Sequence, residues 1–266
     1  MASTRTLSGH TVVALHAHPD DEAIFTGITL RRLAAAGART VLVVATSGDL
    51  GASRVPLRRG ETVPQRRIAE LERAAELLGV ARLVLMGRRD SGLPGWKSTR
   101  HARALAAAPV LPLARSLAEL ADAEGATALV HDDEDGIYGH PDHAATHRIG
   151  AAAADLAGIT SYRTTVDRDA LSPAGHLVHG AADAAGVRYG RPTGDIMLSV
   201  AGDGADIAVK RAAILAHESQ VSPADVPEEG FEQAYGQEWY LRSGAAGPLD
   251  LLAATHADHG VVTPAP

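Results

Sequence analysis

The chain has 266 residues, of which 45% are hydrophobic, and its formal net charge is −7 at pH 7. This length suits one large α/β domain or two small ones, each with a buried core. The negative charge argues against a nucleic-acid partner, because a surface that follows phosphates needs clustered Lys and Arg. The chain contains no cysteine, which excludes disulfides, thiolate metal ligands and cysteine nucleophiles. Any metal ion must therefore be bound by nitrogen and oxygen atoms.

The hydrophobic runs of the chain are short. The first, residues 12–15, is interrupted by His16, and no run approaches the length of a membrane-spanning helix. We therefore expect no secretory signal, no membrane partner and a cytoplasmic protein.

The first 157 residues alternate apolar runs with segments of helical period. The apolar runs predict strands at residues 12–15, 40–45, 82–86 and 126–130. The helical segments cover residues 23–36, 64–78, 112–123 and 142–157. Gly37 and Gly79 after helices, and Pro64 at the start of one, agree with these boundaries. Repeated βα units predict a Rossmann-like α/β fold, with a mostly parallel sheet and helices on both faces.

The pattern is weaker after about residue 160. There we predict an edge strand within residues 191–200 and a helix over residues 207–217. No linker or internal repeat divides the chain, so we predict a single domain over residues 1–266. Its core is expected in residues 10–160, and residues 161–266 are expected to complete the pocket.

Two long segments rich in Gly, Pro and Arg follow the carboxyl ends of predicted strands. They cover residues 47–63 and 87–109. Long loops at this edge of a sheet usually carry function, so we predict that they form the rim of a pocket. For residues 54–61, disorder is an equally open alternative.

Two clusters of imidazoles and carboxylates follow predicted strands. The first is Ala-His-Pro-Asp-Asp-Glu at residues 17–22, and the second is Tyr-Gly-His-Pro-Asp-His at residues 138–143. Ligands bind at the carboxyl ends of the strands in open α/β sheets, so we expect the two clusters to meet there. His18, Asp21 and His143 would supply two imidazoles and one carboxylate, a usual ligand set for catalytic Zn²⁺. The alternative is that an aspartate of the first cluster only caps the helix that follows.

These paired motifs resemble those of the LmbE-like, or PIG-L, family of zinc-dependent de-N-acetylases. The similarity continues through residues 89–92, 136–143 and 216–221. These features are most similar to the actinobacterial branch, which includes the deacetylase and the amidase of mycothiol metabolism and deacetylases of antibiotic biosynthesis. The resemblance implies removal of an acetyl group from an N-acetylglucosaminyl conjugate, either a GlcNAc-inositol or a glycosylated antibiotic intermediate. It implies Zn²⁺ as the cofactor, and Fe²⁺ suits the same nitrogen and oxygen ligands.

The resemblance also implies catalytic roles. Asp20 corresponds to the general base that accepts a proton from the attacking water, as a carboxylate beside a Zn²⁺ ion can. His140, oriented by Asp142, corresponds to the residue that stabilises the tetrahedral intermediate and can protonate the leaving amine. Tyr138 corresponds to a tyrosine that assists the oxyanion. Glu22 is expected to support the site or the start of the helix, while a fourth-ligand role for His140 and a packing role for Tyr138 stay open.

Three further residues are candidates for binding the sugar. Arg67 aligns with a family arginine that contacts the sugar. Asp90 is expected to face the pocket and to bind either a sugar hydroxyl or a neighbour in the catalytic site. Trp96 lies in the second rim segment, where its ring could stack on a sugar. A solvated Arg67 and a core-packed Trp96 are the alternatives.

Functions of other classes fit the sequence less well. The first βα turn lacks the Gly-x-Gly-x-x-Gly of dinucleotide-binding modules, and no Gly-x-Ser-x-Gly follows a strand as in serine hydrolases. A thiol-conjugate amidase of the mycothiol type and a metal-dependent phosphoesterase stay open as alternatives. We therefore predict a zinc-dependent N-deacetylase that acts on a small N-acetylated amino-sugar substrate. The sequence does not indicate its oligomeric state.

Overall fold

The structure is a computed structural model that describes residues 6–171 and 175–257. Its strands are β1 (Thr11–His16), β2 (Arg39–Thr46), β3 (Arg82–Arg88), β4 (Ala128–Asp132), β5 (Thr160–Thr165), β6 (Leu198–Ala201) and β7 (Gln237–Ser243). Its helices are α1 (Asp21–Ala35), α2 (Val63–Leu78), α3 (Val110–Ala123), α4 (Gly136–Gly139), α5 (Pro141–Ala157), α6 (Arg168–Leu171), α7 (Leu177–Ala185), α8 (Gly204–Ala216), α9 (Phe231–Tyr235) and α10 (Pro248–Ala257). Short 3₁₀ turns lie at Lys97–Arg100 and Thr193–Asp195.

The described strands form one sheet in the order β3-β2-β1-β4-β5-β7-β6. Strands β1 to β5 run parallel, whereas β7 is antiparallel to both β5 and β6. The strand order reverses between β1 and β4, which is where a doubly wound sheet opens a crevice at its carboxyl edge. The predicted mostly parallel α/β sheet is confirmed, and its two motif-bearing strands are neighbours at that crevice.

Helices cover both faces of the sheet, so its inner strands are buried on both sides. In β1, Val12 and Ala14 pack in the apolar cluster on one face, and Val13 and Leu15 pack in the cluster on the other face. Helices α1, α2 and α8 contribute to the first cluster, and helices α3 and α5 contribute to the second. This burial fixes the register of β1 and hence the point at which the first motif leaves the sheet.

The last third of the described chain departs most from the prediction. Strands β5 and β7 were not predicted, because Tyr162 is the single apolar residue of β5 and the apolar run of β7, residues 239–241, is three residues long. The predicted edge strand at residues 191–200 is wrong before Leu198. Pro192 has no N–H for a strand ladder, and a 3₁₀ turn follows it directly. The predicted helix at residues 207–217 begins earlier, at Gly204, because Asp203 caps it.

Helix α2 illustrates how a well-bounded helix presents polar residues to the interior. It begins with a capping box between Thr62 and Gln65 and ends at Gly79, whose φ of 75° suits glycine. Its inner face carries the buried side chains of Arg67 and Glu70. Among the helices of the described ranges, none is long and apolar enough to cross a membrane.

Candidate metal centre and active-site cleft

The two sequence motifs meet because their strands are parallel neighbours. Strand β1 ends at His16, and residues 17–20 lead directly into helix α1. Strand β4 ends at Asp132, and residues 133–140 lead into helix α5. Since β1 and β4 pair in parallel, both connections leave the sheet at the same edge. The convergence expected from the sequence is thus present in the structure.

The first connection places Asp20 in an unusual backbone conformation. Asp20 has φ 123° and ψ −29°, in a region that residues other than glycine rarely adopt. Such a residue stores about 1–3 kcal/mol of strain and persists only where its surroundings fix it. The N–H of Asp20 donates to Glu22 Oε2 at 2.9 Å, and the N–H of His18 donates to Asp21 Oδ2 at 2.8 Å. Two carboxylates of the motif therefore hold its own backbone.

The second connection is also strained, at Ile137. This residue has φ 57° and ψ −58°, which is an outlier for a β-branched side chain. The buried carboxylate of Asp133 accepts hydrogen bonds from the N–H of Ile137 at 2.8 Å and from the hydroxyl of Thr165. Asp133 thus fixes the turn at Ile137, and Tyr138, which follows Ile137, points into the site.

The proposed metal ligands lie together and are buried. Asp21 Oδ2 lies 3.4 Å from His18 Nδ1 and also 3.4 Å from His143 Nε2. One ligand atom each from His18, His140 and His143 also falls within 4.8 Å of the others. Burial raises the pKa of Asp21, but the neighbouring His143 and His18 outweigh it and hold that pKa well below its usual range. The donors are therefore a charged carboxylate and imidazole nitrogens, which suit a divalent cation such as Zn²⁺.

Each candidate histidine ligand has a carboxylate behind it. Asp142 Oδ2 lies 3.2 Å from His18 Nε2, and Asp132 Oδ2 lies 3.2 Å from His143 Nδ1. A carboxylate in this position attracts the proton to the nitrogen it faces, which leaves the other ring nitrogen free to bind a cation. Sequence reasoning missed Asp132, although it ends the strand that leads into the second motif.

The contacts of Asp142 differ from the expected ones. Its carboxylate accepts from the N–H and the hydroxyl of Ser91 and faces His18. Its main-chain N–H, not its carboxylate, donates to His140 Nδ1 at 3.2 Å. Asp142 therefore orients His140 through the backbone at the start of helix α5, while its side chain supports His18. Ser91 lies in the Arg-Asp-Ser-Gly segment and was not assigned a role from the sequence.

His140 and Tyr138 lie beside the candidate ligands. Because His140 Nδ1 accepts a hydrogen bond, the neutral ring carries its proton on Nε2. Burial, together with His18 and His143, lowers the pKa of His140 to about 3. The Tyr138 hydroxyl lies 3.1 Å from His143 Nε2. Burial raises the pKa of Tyr138, and the negative charges of Asp21 and its neighbours raise it further, so the phenol keeps its proton.

Arg67 is buried and is directly paired with Asp20. Its Nη2 donates to Asp20 Oδ2 at 3.0 Å and to Pro19 O at 2.6 Å, and its Nη1 donates to Gly48 O at 3.2 Å. A Cβ atom at Gly48 would lie 2.2 Å from Nη1, so only glycine fits there. Burial raises the pKa of Asp20 to about 6, while Arg67 opposes that rise. The alternative of a solvated Arg67 is thereby excluded.

A cleft of about 220 Å³ opens over these groups. Its lining residues come from both motifs, from the second rim segment, from α2 and α7 and from the turn after α8: His18, Asp20, Arg67, Asp90, Leu93, Tyr138, His140, Ala181, Ala184 and Gln220. Gln220 belongs to the third similar segment, residues 216–221, and was not assigned from the sequence. The cleft is thus polar on the motif side and apolar along α7.

Asp90 and Trp96 differ in their relation to the cleft. Asp90 lines it, with Oδ1 3.7 Å from His18 Nε2 and accepting the N–H of Gly92 at 2.7 Å. Trp96 is 48% exposed and lies over Gly92, and it is not among the described residues that line the cleft. Stacking of Trp96 on a sugar therefore stays a prediction. Asp90 therefore lies beside a proposed metal ligand, His18, and not only at the rim of the cleft.

The chain is similar to known proteins. The family model described as PIG-L, GlcNAc-PI de-N-acetylase, matches residues 13–154, slightly more than half of the chain. A 1D-myo-inositol 2-acetamido-2-deoxy-alpha-D-glucopyranoside deacetylase from Thermomonospora curvata is 33% identical over 277 residues, which cover 89% of this chain and 92% of that protein.

Two solved structures share the fold at 18% identity. One is the N,N'-diacetylchitobiose deacetylase from Pyrococcus horikoshii, with a TM-score of 0.58, covering 95% of this chain and 87% of that one. The other is a deacetylase of the teicoplanin biosynthesis pathway, also with a TM-score of 0.58, covering 89% of this chain and 100% of that one. Family match, full-length similarity and shared fold agree, and the chain belongs to the PIG-L family.

Proposed function

We propose that this protein removes the acetyl group from an N-acetylglucosaminyl conjugate by metal-dependent amide hydrolysis, with a GlcNAc-inositol as the substrate. The observation that carries this proposal is the convergence of His18, Asp21 and His143 with Asp20 at the base of one cleft. The similarity of nearly the whole chain to a deacetylase of a GlcNAc-inositol supports the choice of substrate. The proposed partner is this small molecule.

The proposed cofactor is Zn²⁺, for which Fe²⁺ is a chemical alternative at the same ligands. His18, Asp21 and His143 would hold the ion, since Asp21 Oδ2 lies 3.4 Å from a ring nitrogen of each histidine and both histidines have carboxylates behind them. A divalent ion held there would act as a Lewis acid toward the amide carbonyl and toward water.

Asp20 is the proposed general base. It lines the cleft and is not needed as a ligand, so its carboxylate is available to take a proton from the attacking water. Arg67 holds one of its oxygens in place at 3.0 Å. The departing amine needs a proton to leave, and the protonated Asp20 can deliver the one that it has taken.

His140 and Tyr138 are the proposed donors to the developing oxyanion. The neutral tautomer of His140 presents an Nε2–H, and Tyr138 presents a protonated phenol, both at the wall of the cleft. A second proton on His140 would displace the N–H of Asp142 from Nδ1, so the geometry favours the oxyanion role. Delivery of a proton to the amine by His140, expected from the sequence, stays a prediction.

Arg67, Asp90 and Trp96 are the sugar-binding candidates from the sequence, and two of them line the cleft. Arg67 already donates hydrogen bonds to Asp20 and to two carbonyl oxygens, so we propose that its main role is to position the carboxylate of Asp20. Gln220 is the additional polar side chain that we propose for contact with substrate hydroxyls.

A substrate panel tests the proposal. Metal-replete enzyme should release free amine from GlcNAc-inositol far faster than from N-acetyl amino acids, and Asp20→Ala should lower turnover by roughly 10²-fold or more while the metal is retained. Equal rates for the whole panel would contradict the substrate assignment. Loss of the metal in Asp20→Ala would place Asp20 among the ligands instead of the bases.

A further inference from the structure

A buried pair of side chains lies behind the strained turn at Asp20. Glu22 and His217 are both fully buried, and Glu22 Oε1 lies 2.7 Å from His217 Nε2. His217 Nδ1 has no hydrogen-bond partner among the described residues. Within the described residues, the ring of His217 therefore makes its hydrogen bond through Nε2, to Glu22. The two residues are far apart in the chain, since His217 ends helix α8 and Glu22 lies in the first turn of α1.

The second oxygen of Glu22 faces Asp20. Glu22 Oε2 accepts the N–H of Asp20 at 2.9 Å, so one carboxylate joins the imidazole of His217 to the main chain of the proposed base. The N–H direction depends on the backbone torsion of Asp20, and this torsion is the unusual φ of 123°. Since a strained torsion persists only where contacts fix it, this hydrogen bond is one of its restraints.

Hydrogen bonds hold the C-terminal end of helix α8 in place, and His217 lies at that end. The turn after α8 is bound to α2, because Glu70 accepts from both the N–H and the hydroxyl of Ser219. The carbonyl oxygen of His217 accepts from the N–H groups of Gln220 and Val221 at 2.8 and 2.9 Å. His217 is therefore held on its main chain while its ring points at Glu22.

We propose that His217 and Glu22 are positioning residues that hold the main chain of Asp20 in its positive-φ conformation and so direct the Asp20 carboxylate into the cleft. This inference rests on the proposed function, in which Asp20 is the base. It gives the histidine of residues 216–221 a role in catalysis without contact to substrate. Arg67 fixes the carboxylate of Asp20, and the His217–Glu22 pair fixes its backbone.

Replacing His217 tests the proposal. In His217→Leu, Glu22 loses its partner, and we expect kcat to fall about 10- to 100-fold because a misplaced base is costly. KM and the bound metal should change little, since none of the three proposed metal ligands is replaced and the remaining residues of the cleft wall are kept. His217→Gln keeps an N–H donor at the position of Nε2 and should recover kcat to within about 3-fold of the wild type.

Tyr240→Phe is the matched control. It removes a buried hydrogen bond of 2.6 Å to Thr29 on the same helix α1, outside the cleft. It should lower the melting temperature and leave kcat within about 2-fold. An equal loss of kcat in Tyr240→Phe would mean that any damage to α1 lowers activity, and the proposal would fail.

A crystal structure of His217→Leu separates this inference from the proposed function. We expect Asp20 to relax to a negative φ, with its N–H turned away from Glu22. An unchanged Asp20 torsion together with wild-type kcat would overturn the positioning role. If the wild type does not deacetylate the glucosaminide, the proposed function fails, and the Asp20 torsion in the variant still decides this inference.

Discussion

Helix α8 makes two buried polar contacts that both support helix α1, one through Glu238 of strand β7 and one directly with Glu22, and the two contacts support different parts of α1. Lys210 Nζ lies 2.7 Å from Glu238, whose carboxylate also accepts the N–H groups of Ile28 and Thr29 in the middle of α1. Two turns later, His217 contacts Glu22 at the start of α1. The first pair supports a regular stretch of helix, whereas the second lies beside a strained turn. The same kind of contact thus stabilises the fold in one place and the geometry of the site in the other.

Breaking the Lys210 pair is expected to have the largest effect on stability. Burial lowers the pKa of Lys210, and the neighbouring carboxylate of Glu238 opposes that fall. Lys210→Met would leave Glu238 buried without its partner and should cost about 3–5 kcal/mol in the free energy of unfolding. Urea denaturation measures this loss, and kcat per folded molecule should stay unchanged. A double variant, Lys210→Met with Glu238→Leu, should recover much of the stability; a fall in kcat at unchanged stability would contradict the comparison.

His131 is a buried histidine that differs from His217, because its two ring nitrogens bond neutral groups and not a carboxylate. Its Nδ1 donates to Asp132 O at 2.8 Å, so its Nε2 accepts from the Ser161 hydroxyl at 2.8 Å. Burial lowers its pKa to about 4, below the usual 6.5 of an unfolded chain. The unfolded state therefore binds more protons between these two values, and stability falls as pH drops from about 6.5 to 4, by about 3 kcal/mol in all.

Urea unfolding across this pH range measures the contribution of His131. In His131→Gln, the free energy of unfolding should fall less steeply as the pH drops from about 6.5 to 4. In the exposed control His101→Gln, the pH dependence of the free energy of unfolding should stay as in the wild type. An unchanged slope in His131→Gln would mean that His131 does not cause this acid sensitivity.

Asp90 gives a smaller effect that separates chemistry from sugar binding. The sequence leaves open a contact with a sugar hydroxyl or with a neighbour in the catalytic site, and Asp90 Oδ1 lies 3.7 Å from His18 Nε2. We therefore expect Asp90→Ala to lower kcat/KM about 10-fold both for a glucosaminide and for a minimal N-acetyl amide without the sugar. Trp96→Ala should change kcat/KM for the minimal amide less than about 3-fold, because Trp96 lies outside the cleft. A loss confined to the glucosaminide would restore the sugar-binding role of Asp90.

The fold and the location of the site were readable from the sequence for physical reasons. Apolar runs such as residues 12–15 are buried on both faces of a parallel sheet, so their pattern is strong. Repeated βα units predict parallel strands, so clusters that follow two such runs are expected at the same edge of the sheet. Strands β5 and β7 were missed because β5 is mostly Thr, Ser and Arg, and because the apolar run of β7 is three residues long.

The contacts that support the catalytic residues could not be predicted from the sequence, because they join residues that are distant in the chain. Ser91 reaches Asp142 from the rim segment, and His217 reaches Glu22 across most of the chain. No spacing rule links such residues, since their meeting depends on how helices α5 and α8 pack. The backbone torsion of Asp20 was unreadable for a similar reason, because aspartate does not favour it locally.

A single metal centre built by the two motifs is required for the proposed hydrolysis, and it is tested by measuring metal content together with activity. Elemental analysis of the wild type and of His10→Ala, a histidine that precedes β1 at the opposite edge of the sheet, should give close to one divalent ion per chain, with amine released from GlcNAc-inositol. His143→Ala should lose both the metal and the activity. A wild-type protein that is fully active without metal, or a His143→Ala variant that keeps both, would contradict the account.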